Sequence, residues 1–346
     1  MGNKQNTSRW GEIFDILPCG LFRPQCVVFK NEILICGTWK IASCYSYNMS
    51  TQQYKLFYED KRMCNGHAII KLPNENEENE EEVTLLLLGS FQNRVAWMKY
   101  RSVWAWQSNF QKNNEWIPEE KSKGINAYLE DPCVVVGGSK NQYLFVVYRP
   151  NNISVLMLHN LELFAKGTLP IDCIVGASCF VKTDNCNQMI FFNRLHGYLI
   201  TFDETVQHFQ FQKLTVCNKL RGRFDYSSVR VKDWILLIGG KFGLKSFDTI
   251  YCYSISLKIW RLSKYRLPIS LHGSCAIVDD QLCWLHVIGG KHENKDSRHH
   301  FKIKIADIIN NWRDENEIVV IEHWFRTCKI SFLWVRDLND VINSFL

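Results

Sequence analysis

Histidine, cysteine and hydroxyl side chains are where this sequence would carry catalysis or a metal, and their spacing limits what they can do. The densest group is His292, His299 and His300. Adjacent residues of a strand point to opposite faces, so His299 and His300 do not converge on one ion, and the segment reads as a solvated loop. The chain holds 14 cysteines, with no CxxC pair and no Cys2His2 spacing, which argues against structural zinc. A serine nucleophile lacks its GxSxG elbow, so Ser228 and His272 read as ordinary strand residues. Neither GxxxxGK[ST] nor GxGxxG occurs, so no phosphate cradle is written in the chain. No catalytic residue, cofactor or metal site is assigned, and the expectation is a protein that is not an enzyme.

What remains chemically is charge and aromatic surface. The chain has 41 basic and 35 acidic residues, a net charge of +6, too modest for an electrostatic nucleic-acid footprint, so nucleic acid is disfavoured as a partner. Aromatic residues reach 13%, with 12 Trp, 13 Tyr and 21 Phe, and flat side chains in such number suit sheet surfaces. With 46% hydrophobic and 22% charged residues, the chain is globular rather than disordered or fibrous. No apolar run is long enough to span a membrane, and Met1 to Asn6 is polar, so a cytoplasmic location is expected. Cysteines inside apolar runs, such as Cys26-Val27-Val28 and Cys133-Val134-Val135, agree with a reducing compartment. Gly2 invites N-myristoylation, but Asn6 stands where that motif wants Ser or Thr.

The elements that must position these groups follow from a repeat. Its first register is a small or polar residue leading a β-prone run: Cys26, His67, Cys133, Cys179, Ser228 and Cys275. Most of these leaders are about 47 residues apart. The leaders are expected at equivalent inner strands around a central channel, too widely spaced for disulfides. The second register is a large side chain followed seven residues later by an aromatic: Tyr47 and Tyr54, Met157 and Phe164, Phe202 and Phe209, Tyr253 and Trp260, Ile305 and Trp312. Blade two conforms loosely, through Trp106 and Trp116. Between them lie apolar runs that end in glycine, as at Gly37, Gly89, Gly239-Gly240 and Gly289-Gly290. Each unit therefore predicts four short strands bounded by turns, and six units closing on themselves bury both faces of every sheet.

The Gly-Gly, Tyr and Trp of the fifth unit (Gly239-Gly240, Tyr253, Trp260) resemble the kelch repeat, as do the looser matches in the other units. The resemblance covers roughly residues 17–312. It implies an all-β fold, a six-bladed kelch-type β-propeller, with blades starting near 17, 60, 125, 169, 219 and 267. Residues 1–16 are then an N-terminal extension and 17–316 the propeller. Residues 317–346 change to helical periodicity and are expected to form short C-terminal amphipathic helices, available for self-association. The run of glutamates between Asn74 and Glu82 reads as a solvated loop.

Connections between the second and third strands leave one face of such a ring. They carry nine cations against three carboxylates: Lys40, Arg94, Arg149, Arg194, Lys241, Lys245, Lys291, Lys295 and Arg298 against Asp248, Glu293 and Asp296. Trp39, Phe91 and Phe242 stand beside them. The function expected is a non-enzymatic protein–protein interaction scaffold whose basic face holds an acidic partner segment. A shared solvated basic position in each repeat explains the same charges without a partner. The alternative from another class is a degenerate propeller enzyme, oxidase-like or hydrolase-like, with its site at the central channel.

Overall fold

The structure is a computed structural model that describes residues 13, 14, 16–37, 42–60, 66–73, 81–89, 95–104, 114–119, 129–172 and 178–311. Alternating β-branched and aromatic residues broken by turns give six antiparallel four-stranded sheets. Blade 1 comprises β2 (Gln25–Phe29), β3 (Glu32–Cys36), β4 (Ala42–Asn48) and β5 (Gln53–Asp60). Blade 2 comprises β6 (His67–Lys71), β7 (Glu82–Gly89), β8 (Val95–Arg101) and β9 (Ile117–Pro118). Blade 3 is β10 (Cys133–Gly137) to β13 (Leu163–Thr168), and blade 4 is β14 (Cys179–Lys182) to β17 (His208–Leu214). Blade 5 is β18 (Phe224–Val231), β19 (Trp234–Phe242), β20 (Lys245–Ser254) and β21 (Trp260–Leu271). Contacts between successive inner strands, and between β2 and β22 (Cys275–Val278), carry the six sheets round into a ring. The molecule is a six-bladed β-propeller.

Second strands are apolar runs, interrupted in blade 6 by His286, and Ile33 to Ile35, Leu85 to Leu88, Leu144 to Val147 and Ile235 to Ile238 are all buried. A strand sandwiched between two neighbouring sheets hides both its faces, so alternation disappears there. Gly239 and Gly240 end such a run with φ of +68° and +88°, and a Cβ on Gly239 would stand 2.4 Å from the Leu271 carbonyl oxygen. Only glycine fits that corner.

The spacing of seven has a direct cause. Tyr47 lies opposite Tyr54, Phe202 opposite Phe209, and Tyr253 opposite Trp260, each across the hairpin of the third and fourth strands. Their ring centroids are 4.8, 4.9 and 5.0 Å apart, the range in which aromatic pairs attract. In blade 3 a bulge at Val155 and Leu156 breaks the register, and Phe164 stacks on Tyr143 instead, at 4.8 Å.

Blade 6 corrects the sequence-based boundaries. Its sheet runs β22, β23 (Trp284–Ile288), β26 (His300–Lys304), β1 (Ile13–Phe14). Ile13 pairs with Phe301 and Phe14 with His300, so the outermost strand comes from within residues 1–16, which the sequence left outside the ring. Ile305, expected to begin a strand-and-aromatic pair, starts the short helix α1 (Ile305–Ile309), whose Ile305 and Ile308 are buried against blades 5 and 6. Trp312, the segment 74–80 and the segment 317–346 lie outside the described residues. The hairpin β24 (Lys291–His292) and β25 (Lys295–Asp296) rises between β23 and β26.

Polar residues are buried at two seams. Between blades 1 and 2, the Glu32 carboxylate accepts hydrogen bonds from Ser46 Oγ (2.5 Å) and the Tyr100 hydroxyl (2.6 Å). Between blades 6 and 1, Tyr54, His300 and His286 form a chain: Tyr54 Oη to His300 Nδ1 is 2.6 Å, and His300 Nε2 to His286 Nδ1 is 2.8 Å. His300 is fully buried, not on a solvated loop as the sequence implied, because β26 carries it into the sheet while the alternation leaves His299 on the opposite face. Burial lowers the pKa of His286 to about 4 and also holds that of His300 well below the usual imidazole range, aided by the neighbouring imidazole and Lys302. The register-leading Cys26 and Cys275 were expected to form no disulfide. Both are free thiols, on the inner strands β2 and β22 that contact each other at this same seam.

Candidate functional site

In an antiparallel blade the connections from second to third strand and from fourth strand to the next blade leave the same face. Arg149, Arg194, Lys241 and Lys291 all emerge there, as the sequence indicated. Trp39, Lys40, Phe91 and Arg94 lie outside the described residues. The structure adds what the sequence reading missed: the blade-to-blade connections bring acids to this face. Arg149 pairs with Asp131 and Glu130, each at 2.8 Å. Lys241 lies 3.5 Å from Asp225, and within its own connection Lys291 lies 3.7 Å from Asp296, one of the three carboxylates already read from the sequence. Three of the expected partner-binding cations are therefore already neutralised within the chain. The signal that would have found these carboxylates is position: Asp131 and Asp225 sit at or just before the first strand of blades 3 and 5, beside the axis.

Arg23, just before β2, organises that axis. Its guanidinium Nε donates to Asp225 Oδ1 at 3.1 Å, Nη2 donates to the same oxygen, and Nη1 lies 3.5 Å from Asp131. One side chain thus ties the entries of blades 1, 3 and 5 across the mouth of the channel. Asp225 is almost wholly buried, so loss of Arg23 would leave a desolvated carboxylate with only Lys241. Below this bridge lies a cavity of about 250 Å³ lined by Cys133, Ser178, Ser228, Cys275 and His67 among others. His67 is 5% exposed, and neither ring nitrogen has a hydrogen-bond partner among the described residues. Burial alone lowers its pKa to about 4, so the imidazole is neutral. His272 is likewise lowered to about 4, by burial and then by Lys241, and its Nδ1 meets Ser246 Oγ at 2.8 Å. It is a structural link between blades 5 and 6.

Outside the axis the face changes character. β19 and β20 run past the edge of their blade as a hairpin, with Phe242 56% and Leu244 96% exposed at its tip. Phe242 packs over Gly222, whose added Cβ would stand 2.6 Å from the ring. Lys245 is exposed beside them. Arg194 is exposed, next to Leu195 at 42%. Beside the hairpin opens a cleft of about 370 Å³ lined by Lys219, Arg223, Lys245, Phe247, Asp248, Thr249, Tyr251 and Arg266 among others. Apolar tips thus stand exposed beside the exposed cations Lys245 and Arg194.

The solved structure of YjhT matches this ring with a TM-score of 0.62, over 87% of this chain and 99% of that one. That likeness is one of fold. At 10% identity it carries no residue from one protein to the other. No protein-family model matches the chain, and no curated protein matches it in sequence. Among the described residues no helix is long and apolar enough to cross a membrane, and no three His, Cys, Asp or Glu side chains are placed to hold a metal ion.

Proposed function

We propose that this protein is a non-enzymatic interaction scaffold, a kelch-type propeller that works in the cytoplasm and holds an acidic partner segment on the face of blades 4 and 5. The observation that carries the reading is the β19–β20 hairpin, which exposes Phe242 and Leu244 at its tip beside the cations Lys245 and Arg194. Aromatic and aliphatic anchors ringed by charge make binding hot spots, with the charge steering encounter and the anchors slowing release. The expected footprint is narrower than the whole basic face, since Arg149, Lys241 and Lys291 already have carboxylate partners.

The test is affinity capture with the wild type and with Phe242→Ala/Arg194→Glu, both checked for unchanged thermal unfolding. The double variant is expected to lose the partner, and wild-type capture is expected to weaken with added salt. Retention of the same partners at the same salt sensitivity would refute the reading.

A further inference from the structure

The cleft at the foot of the hairpin contains a cation that no carboxylate of the described residues pairs directly. Arg223 is 8% exposed, and among the described residues no carboxylate lies within ion-pair distance of it. Its guanidinium lies 3.5 Å from the Phe247 ring centroid and 5.3 Å from that of Tyr251, and Nη1 donates to Thr249 Oγ1 at 2.8 Å. Stacking and the hydroxyls of Thr249 and Tyr251 fix the plane of the fork, and these two acceptors leave part of its five-donor set unused. The one acid lining the cleft, Asp248, is engaged by Arg266 Nη1 at 3.2 and 3.3 Å to its two oxygens. Lys219 and Lys245 also line the cleft, and with Asp248 held by Arg266, Arg223 and Lys245 have no carboxylate within ion-pair distance among the described residues.

A buried cation is costly to the fold unless an anion meets it. A single carboxylate would meet only one of these two charges. A phosphate monoester brings about −1.5 to −2 charges and three acceptor oxygens, and matches a planar fork backed by lysines. We infer that this cleft receives the phosphate of a phosphorylated serine or threonine in the docking segment, clamped by Arg223 with Lys219 and Lys245 at its rim. The inference rests on the reading of this face as the docking surface for an acidic segment, and names the group that the segment inserts.

Three probes decide it at constant ionic strength: a short labelled Glu- and Asp-rich peptide with one serine, the same peptide phosphorylated on that serine, and inorganic phosphate. Wild type is expected to bind the phosphopeptide at least tenfold more tightly than its unphosphorylated form, with inorganic phosphate competing and an equal ionic strength of chloride not. Arg223→Lys keeps the charge but loses the fork, and should erase that preference. Lys245→Glu lies on the surface, leaves the fold intact, and should do the same. If both peptides bind equally well, the phosphate site is refuted and the docking face stands. If neither peptide binds, the docking face is refuted, and phosphorus NMR of inorganic phosphate then judges the cleft alone. Broadening in wild type that is absent in Lys245→Glu supports the cleft, and no broadening overturns it.

Discussion

Phe145 and His286 hold the same place in blades 3 and 6, each in the second strand opposite the residue two past a register-leading cysteine. Around Phe145 the seam with blade 4 is carbon: Phe202 lies 5.6 Å from it, 6.3 Å from Tyr143 and 6.2 Å from Phe164. Around His286 the seam with blade 1 is imidazole and phenol, with Tyr47 at 4.6 Å from His300 and 6.3 Å from His286. Both seams fill the same wedge between sheets with flat rings. Only one of them can take up a proton, and the outer Nε2 of His286 has no partner among the described residues. One repeat therefore yields two interfaces of equal shape and unequal response to pH.

The largest effect is expected where that comparison is starkest. Phe202→Ala should cost about 3–5 kcal/mol, and urea denaturation should give the same loss at neutral pH and near pH 5. A loss that changed with pH would show that the carbon seam is coupled to titration after all.

Next comes the exchange of one seam's chemistry for the other's. His286→Phe with His300→Ile copies the Phe145 and Ile153 of blade 3 into the closing seam. An imidazole whose folded pKa is about 4, against about 6.5 unfolded, binds its proton more readily in the unfolded chain. Its contribution to stability is whole above about pH 6.5 and is lost as pH falls towards 4. At about pH 5 one such histidine costs about 2 kcal/mol. The double variant should recover at least that much of the acid-induced loss, read as a flatter plot of unfolding free energy against pH. An unchanged slope would place the acid sensitivity elsewhere, with His67 as the next group to replace.

The smallest effect sharpens the seam itself. Tyr54→Phe removes the hydroxyl that meets His300 and should cost about 1 kcal/mol at neutral pH. Chemical denaturation of this variant would put the hydroxyl outside the chain if it cost nothing.

The two seams also show how far the sequence could be read. Cys133 and Cys275 marked the inner strands, and Tyr47 with Tyr54 or Phe202 with Phe209 marked the outer hairpins, because register and hairpin length are local properties. Closure is not local. Nothing near Ile13 announces that its partner is Phe301, so the sequence placed the first strand outside the ring and sought the sixth outer strand at Trp312. The cations of the docking face were legible as residues, but their neutralisation was not. Asp131 and Asp225 meet Arg149, Arg23 and Lys241 only after blades far apart in the chain are brought round one axis.

The pairing of Ile13 with Phe301 also sets an order of events during synthesis. A ribosome adding about 5–20 residues per second needs roughly 15–60 s to travel from one partner to the other. Through that interval the blades accumulate as an open arc, five of them complete by its end, and the unmatched wall of blade 1 is presented to the crowded cell. When β26 emerges, its free edge must capture the waiting N-terminal strand before another chain offers a substitute. The cell's holding chaperones would therefore matter most to this protein before its last blade is made, and hardly at all once the ring has shut.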